Sequence, residues 1–187
     1  MKRFTGFMTV VVAVMVFCGV AFAGEKAPQK VVDLANNVLA QLGTDPVIVS
    51  AVRAQNMKNK SLDEIKAMDK KWRDRPGIAD YMEALISSEC GKHLVKILEG
   101  EEFYAEIFVM DNQGANVAMT DKTSDYWQGD EAKFIRSYND GKGDLFIDDV
   151  EFDDSAQAYL VQVSVPVKDA EKVIGAITIG IDIDKIQ

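Results

Sequence analysis

The sequence is poor in the residues that carry most catalytic and scaffold chemistry. Among 187 residues there is one histidine, His93, and there are two cysteines, Cys18 and Cys90. A single imidazole argues against a histidine-built zinc centre and against a Ser-His-Asp relay, so His93 reads as structural. Cys18 lies in a leader-like segment, which leaves Cys90 without an intramolecular disulfide partner. Among Leu85, Ile86, Leu94 and Ile97, Cys90 reads as a small buried hydrophobe. The run Cys90-Gly91-Lys92-His93 lacks the paired cysteines of a haem-attachment motif. Positive charge is also scarce, with 21 basic against 30 acidic residues and a net charge of −9. That balance excludes a phosphate-binding face for nucleic acid and disfavours anionic membrane surfaces. No nucleophile elbow, phosphate loop, metalloprotease motif or dinucleotide fingerprint occurs. What is abundant is apolar: hydrophobic residues make up 48% of the chain, enough for one well-packed domain at this length.

The first 23 residues stand apart. Lys2 and Arg3 precede an apolar run from Phe7 to Val20, and Ala21-Phe22-Ala23 places small residues at both key positions of a cleavage site. This is the pattern of a secretory signal peptide, residues 1–23, cut before Gly24; an uncleaved anchor is the alternative. Phe17 before Cys18 argues against a lipoprotein. Loss of Lys2 and Arg3 takes the net charge from −9 to −11. Past this segment no apolar run reaches the roughly 18 residues of a membrane span. The expected product is therefore a soluble periplasmic or secreted protein.

Periodicity divides the remainder into a helical front and a strand-rich back. Val31, Leu34, Val38, Leu39 and Leu42 recur at helical spacing, closed by Gly43. Asp45-Pro46 opens a second helix, and Ser61-Leu62-Asp63-Glu64 is a capping box that starts a third, running through Trp72. Residues 78–98 read as one long helix, with Gly91 a place to bend. Tyr104 to Met110 and Ala115 to Met119 read as a hairpin around the turn Asp111-Asn112-Gln113-Gly114. A polar, aromatic stretch then leads into a short helix from Glu131 to Tyr138. Three further strands are expected over 145–152, 158–167 and 173–183. The fold class is α+β, with N-terminal helices packed on an antiparallel sheet.

Four segments carry a family resemblance. Phe108 to Ala118 is similar to the "strand, D-x-x-G, strand, A" hairpin of Cache (PDC) domains, the PAS-like extracytoplasmic sensor domains. Thr123 to Glu131 resembles their ligand-side loop and helix start. Val165-Pro166-Val167-Lys168-Asp169 and Ile174 to Asp182 resemble their closing hairpin, and the four occur in the family's order. The resemblance implies a single Cache/PDC-like sensor domain over residues 61–187, preceded by a helical segment over 24–60. It implies a long N-terminal helix on a five-stranded PAS-like sheet, with a pocket between the sheet and the loop-helix segment after the first hairpin. The family's ligands are small and polar: amino acids, amines, carboxylates. Most members are tethered to an output module; a chain ending at Gln187 is expected to be the standalone type, read by a membrane receptor or other signalling protein.

The candidate ligand-binding residues cluster where strand gives way to helix. Asp125, Tyr126, Trp127, Asp130, Glu131, Lys133 and Arg136 combine rigid aromatic walls with charge. Carboxylates with aromatic faces suit an ammonium group, whereas Lys133 or Arg136 suits a carboxylate. Asp153 and Ser155 are expected to reach the pocket mouth from their turn, and Trp72 is either a pocket wall or a core anchor. The acidic run Asp148, Asp149, Glu151, Asp153, Asp154 matches no calcium loop and reads as a solvated edge; neither metal nor cofactor is implied. Small-metabolite binding without catalysis is the leading reading. The alternatives are an interaction domain that dimerises through its helices, and an enzyme using a carboxylate pair among Asp125, Asp130 and Glu131.

Overall fold

The computed structural model describes residues 24–153 and 156–186. The leader expected over residues 1–23 lies outside the described residues. The helical front consists of α1 (Gln29–Asn37), a 3-10 turn (Leu39–Thr44), α2 (Pro46–Asn56), α3 (Leu62–Arg73), α4 (Asp80–Ile86) and α5 (Glu89–Leu98). Local chemistry accounts for several boundaries. Asp45 caps α2, accepting from the Val47 and Ile48 amides at 2.9 and 3.2 Å, with Pro46 pre-set at the first position. His93 reaches the same carboxylate at 3.0 Å, tying α5 to the start of α2. At Ser61 and Glu64 both arms of the capping box are formed.

Three expectations need correction. No long N-terminal helix is present among the described residues; the longest, α3, has 12. The single helix expected over 78–98 is two. Ser88 accepts from the Gly91 amide at 2.9 Å and donates to the Leu85 carbonyl at 2.8 Å, so it ends one helix and caps the next. Gly91 is needed at this break because a Cβ there would collide with the Leu85 and Ile86 carbonyls. The strand expected over 145–152 is also interrupted, into β3 (Phe146–Ile147) and β4 (Glu151–Asp153). Between them Val150 donates to the Glu25 carbonyl at 2.7 Å, an antiparallel bridge to the start of the described chain.

The remaining strands are β1 (Tyr104–Met110), β2 (Asn116–Met119), β5 (Ala158–Asp169) and β6 (Lys172–Asp182), with α6 (Ala132–Tyr138) between β2 and β3. All pairings are antiparallel, in the order β2-β1-β6-β5-β3, with β4 also on β5, so six strands fill five positions. The β1–β2 hairpin turns as its residues demand: Asp111 accepts from the Gln113 and Ala115 amides, and Gly114 takes a φ of +83°.

The two faces of this sheet differ. One presents Ile107, Val109, Val161, Val163, Val165, Ile177, Ile179 and Ile181, buried against α1, the 3-10 turn, α2 and α5. Cys90 lies in this core, where burial pushes its thiol up to about 12. The opposite face carries Phe108, Met110 and Ala176 at one end, packed with Ile65 and Trp72 of α3 and Phe134 of α6. Its middle is polar.

Candidate ligand-binding site

The polar middle follows from period-two alternation. In β5 the sequence Val161-Gln162-Val163-Ser164-Val165 sends valines to the apolar core and Gln162 and Ser164 to the other face. In β6, Ile177-Thr178-Ile179-Gly180-Ile181 does the same, and the register aligns Gln162 with Gly180 and Ser164 with Thr178. Glu106 of β1 pairs with Gly180 from the other side. Gly180 thus sits between Glu106 and Gln162, and its missing side chain lets them meet across β6: Gln162 Nε2 donates to Glu106 Oε1 at 2.8 Å. A Cβ on Gly180 would stand 2.7 Å from Glu106 Cγ. One row further along, the Ser164 and Thr178 hydroxyls bond at 2.8 Å, fully buried.

A cavity of about 310 Å³ opens over this strip, floored by Glu106, Phe108 and Gln162 and walled by Lys122, Thr123, Ser124, Gln128 and Lys133. A smaller recess of about 150 Å³ shares Lys133, Asp153 and Gln162 with it and continues to Asp148, Glu151 and Phe152. Burial raises the Glu106 carboxyl above the ordinary carboxylate range, against the lowering effect of its Gln162 hydrogen bond and of nearby Lys133. Gln128 is 1% exposed. Its Nε2 donates to the Asp125 carbonyl at 2.9 Å, while its buried Oε1 has no partner among the described residues.

The wall over 120–131 is held by side chains rooted elsewhere. Asp69 of α3 accepts from the Tyr126 and Trp127 amides through one oxygen, at 2.9 and 3.1 Å, and its other oxygen pairs with Arg73 at 2.9 Å. Trp72 donates to the Thr123 carbonyl at 2.8 Å, Asn116 to the Asp125 carbonyl at 3.1 Å, and Trp127 to the Gln113 carbonyl at 2.7 Å. Backbone groups of this irregular stretch are therefore satisfied from α3 and β2, and its own Trp127 indole ties it back to the β1–β2 turn.

The residues singled out in the sequence occupy different surroundings. Lys133 and Asp153 lie at the cavity. Asp125, Trp127, Asp130 and Glu131 line a separate surface cleft with Lys66, Asp69 and Arg73; Glu131 reaches back to Lys133 Nζ at 2.9 Å. Trp72 and Tyr126 are core residues, their rings 5.5 Å apart, and burial pushes the Tyr126 hydroxyl up to about 12. Arg136 lies over the Phe146 ring at 4.5 Å. Ser155 lies outside the described residues. Among those described, no group of three or more His, Cys, Asp or Glu is placed to hold a metal ion. Glu106, Gln128 and Gln162 were missed from sequence. The signal available was the alternation of Gln162, Ser164, Thr178 and Gly180 within otherwise β-branched strands.

An antiparallel five-position sheet, with a cavity between it and the loop-helix segment after the first hairpin, is the arrangement the sequence resemblance implied. The fold is α+β, helices packed on one antiparallel sheet. A scan against protein-family models finds no match, and a search of curated proteins finds none. Solved structures do match. The ligand-binding domain of the Campylobacter jejuni chemoreceptor Tlp3, in complex with 4-methylisoleucine, is 17% identical with a TM-score of 0.44, over 87% of this chain and 63% of that one. The sensor domain of the V. cholerae histidine kinase DctB is 13% identical with a TM-score of 0.38, over 84% and 55%. An extracellular ligand binding receptor from Desulfohalobium retbaense is 12% identical with a TM-score of 0.41, over 75% and 25%. This chain spans less than two thirds of the length of each. Among the described residues, no helix is long and apolar enough to cross a membrane.

Proposed function

We propose that this protein is an extracytoplasmic binding module of the sensor type, holding a small polar metabolite between the polar strip of its sheet and the 120–138 segment. It performs no covalent chemistry, and it presents the occupied state to a membrane receptor or other signalling protein. The observation that supports this most directly is the Glu106–Gln162 pair, placed over Gly180 at the floor of a cavity. A sheet face covered only for stability would carry apolar side chains, since taking a carboxylate out of water without an ion-pair partner costs free energy. A cavity of this size with few convergent polar groups suits a ligand of amino-acid dimensions.

The test is a thermal-shift screen of the full chain against amino acids, amines and carboxylates. A ligand at a hundredfold its Kd stabilises by about 2.7 kcal/mol, which at this chain length moves Tm by roughly 5–10 °C. The expected result is a shift with at least one class, lost in Gly180→Leu, which fills the floor. The absence of any shift across the three classes overturns the reading.

A further inference from the structure

Resting on that reading, we infer that the cavity selects a ligand presenting an ammonium group, and that Glu106 receives it. The donors and acceptors around the cavity are unevenly matched. Both cations on its wall already have partners: Lys133 Nζ is bound to Glu131 at 2.9 Å, and Lys122 Nζ donates to the Arg75 carbonyl at 2.8 Å. The acceptors do not balance them. Glu106 has a single neutral donor, Gln162, and among the described residues no ammonium or guanidinium comes within ion-pair distance of it. Gln128 Oε1 is buried and unpartnered.

The orientation of that amide is fixed. Its Nε2 faces the Asp125 carbonyl, and turning it over would set two oxygens against each other. Gln128 Oε1 is therefore an acceptor enclosed behind the cavity wall, and Glu106 is the acceptor that the floor presents. The recess beside them carries Asp148, Glu151 and Asp153, which extends the same sign of charge toward solvent.

An incoming carboxylate meets the like charge of Glu106, and each wall lysine already holds a partner. An ammonium brings three donors and a positive charge to a site rich in acceptors, and hydrogen bonds between charged partners are the stronger kind. It also favours the ionised form of Glu106, which burial opposes. Phe108, beneath Lys133, supplies an apolar floor for the carbon skeleton.

The experiment compares primary amines (ethanolamine, putrescine, agmatine), the common amino acids, and mono- and dicarboxylates of two to six carbons, by thermal shift and then calorimetry on the full chain. Each hit is repeated with Glu106→Gln, Gln128→Leu and Lys133→Met. The expected result is that every hit carries an ammonium and that Glu106→Gln weakens binding about 10- to 100-fold, the worth of one charge-assisted bond. Gln128→Leu weakens it less, and each variant keeps a cooperative melt. Two outcomes overturn the inference alone. One is a carboxylate without an amine that binds and is lost in Lys133→Met; the other is an amine whose affinity is unchanged in Glu106→Gln. Both leave a binding module standing. No hit in any class overturns the binding reading as well.

Discussion

Asp69 is the residue on which the cavity wall hangs, and its removal has a calculable cost. In Asp69→Ala the Tyr126 amide, buried beneath the aromatic cluster, loses its acceptor, and the half-buried Trp127 amide loses the same oxygen. An orphaned buried amide costs about 1–3 kcal/mol, and one that water can reach costs less. The Arg73 pair adds little, because Arg73 is 58% exposed. Together these give about 3 kcal/mol, or a fall in Tm of roughly 6–12 °C for a chain of this length. Asp69→Asn separates the terms. Its remaining oxygen still accepts from both amides, while its new amide nitrogen faces the Arg73 guanidinium, so the loss is about 1 kcal/mol. Urea denaturation of the two variants beside the parent chain reads both values. A loss below about 1 kcal/mol in Asp69→Ala, or equal losses in the two variants, refutes the claim that one oxygen anchors the wall. Ligand affinity follows the same order, because Thr123, Ser124 and Gln128 belong to the stretch that Asp69 holds.

Two further predictions concern the sheet's polar strip. Burial raises the Glu106 carboxyl, so the native state holds its proton more tightly than the unfolded chain does. The stability it contributes is complete below the unfolded pKa and is lost as pH rises through the native value. Glu106→Gln does not titrate, so its stability relative to the parent improves in urea melts as pH rises above the ordinary glutamate range, about 4; an offset that stays constant with pH contradicts this. Ser164→Ala orphans the buried Thr178 hydroxyl and costs about 1–3 kcal/mol, whereas the double change Ser164→Ala, Thr178→Val removes both partners and costs less than the single one. Chemical denaturation of the pair decides it, and a double variant weaker than the single one sinks the argument.

The parts of the fold that were legible are those with local causes. The α3 start needed only Ser61 and Glu64, the α2 start only Asp45 and Pro46, and the β1–β2 turn only Asp111 and Gly114. Each satisfies its backbone within four residues, so a short window of sequence contains the whole reason. The failures depend on partners far along the chain. β3 and β4 separate where Val150 bonds to Glu25, and Lys26 pairs with Asp149 at 2.7 Å. Nothing near residue 150 announces that. The break between α4 and α5 was within reach, since Ser88 is a good cap, but an unbroken apolar stripe masked it.

The candidate site was harder to read for a related reason. Polar residues alternating with valine and isoleucine ordinarily mean one solvated face of an antiparallel sheet. That rule places Gln162, Ser164 and Thr178 in water. Here α6 and the 120–131 stretch cover that face, so the same alternation leaves Ser164 and Thr178 buried and Gln162 half-buried at the cavity. Whether a polar face is wet or enclosed is decided by the segment that folds over it, and that segment is anchored by Asp69, Trp72 and Asn116 on other elements. The aromatic and charged residues of 125–136 drew attention because they stand together in sequence, yet Tyr126 packs into the core and Trp127 fixes its own loop. They shape the wall, while Glu106 and Gln162, brought together from two strands across a third, present polar atoms at the cavity. A strand glycine at position 180 ties the two levels together. In β6 it reads as a weak point in a strand, and in the sheet it is the gap that lets a carboxylate and an amide meet.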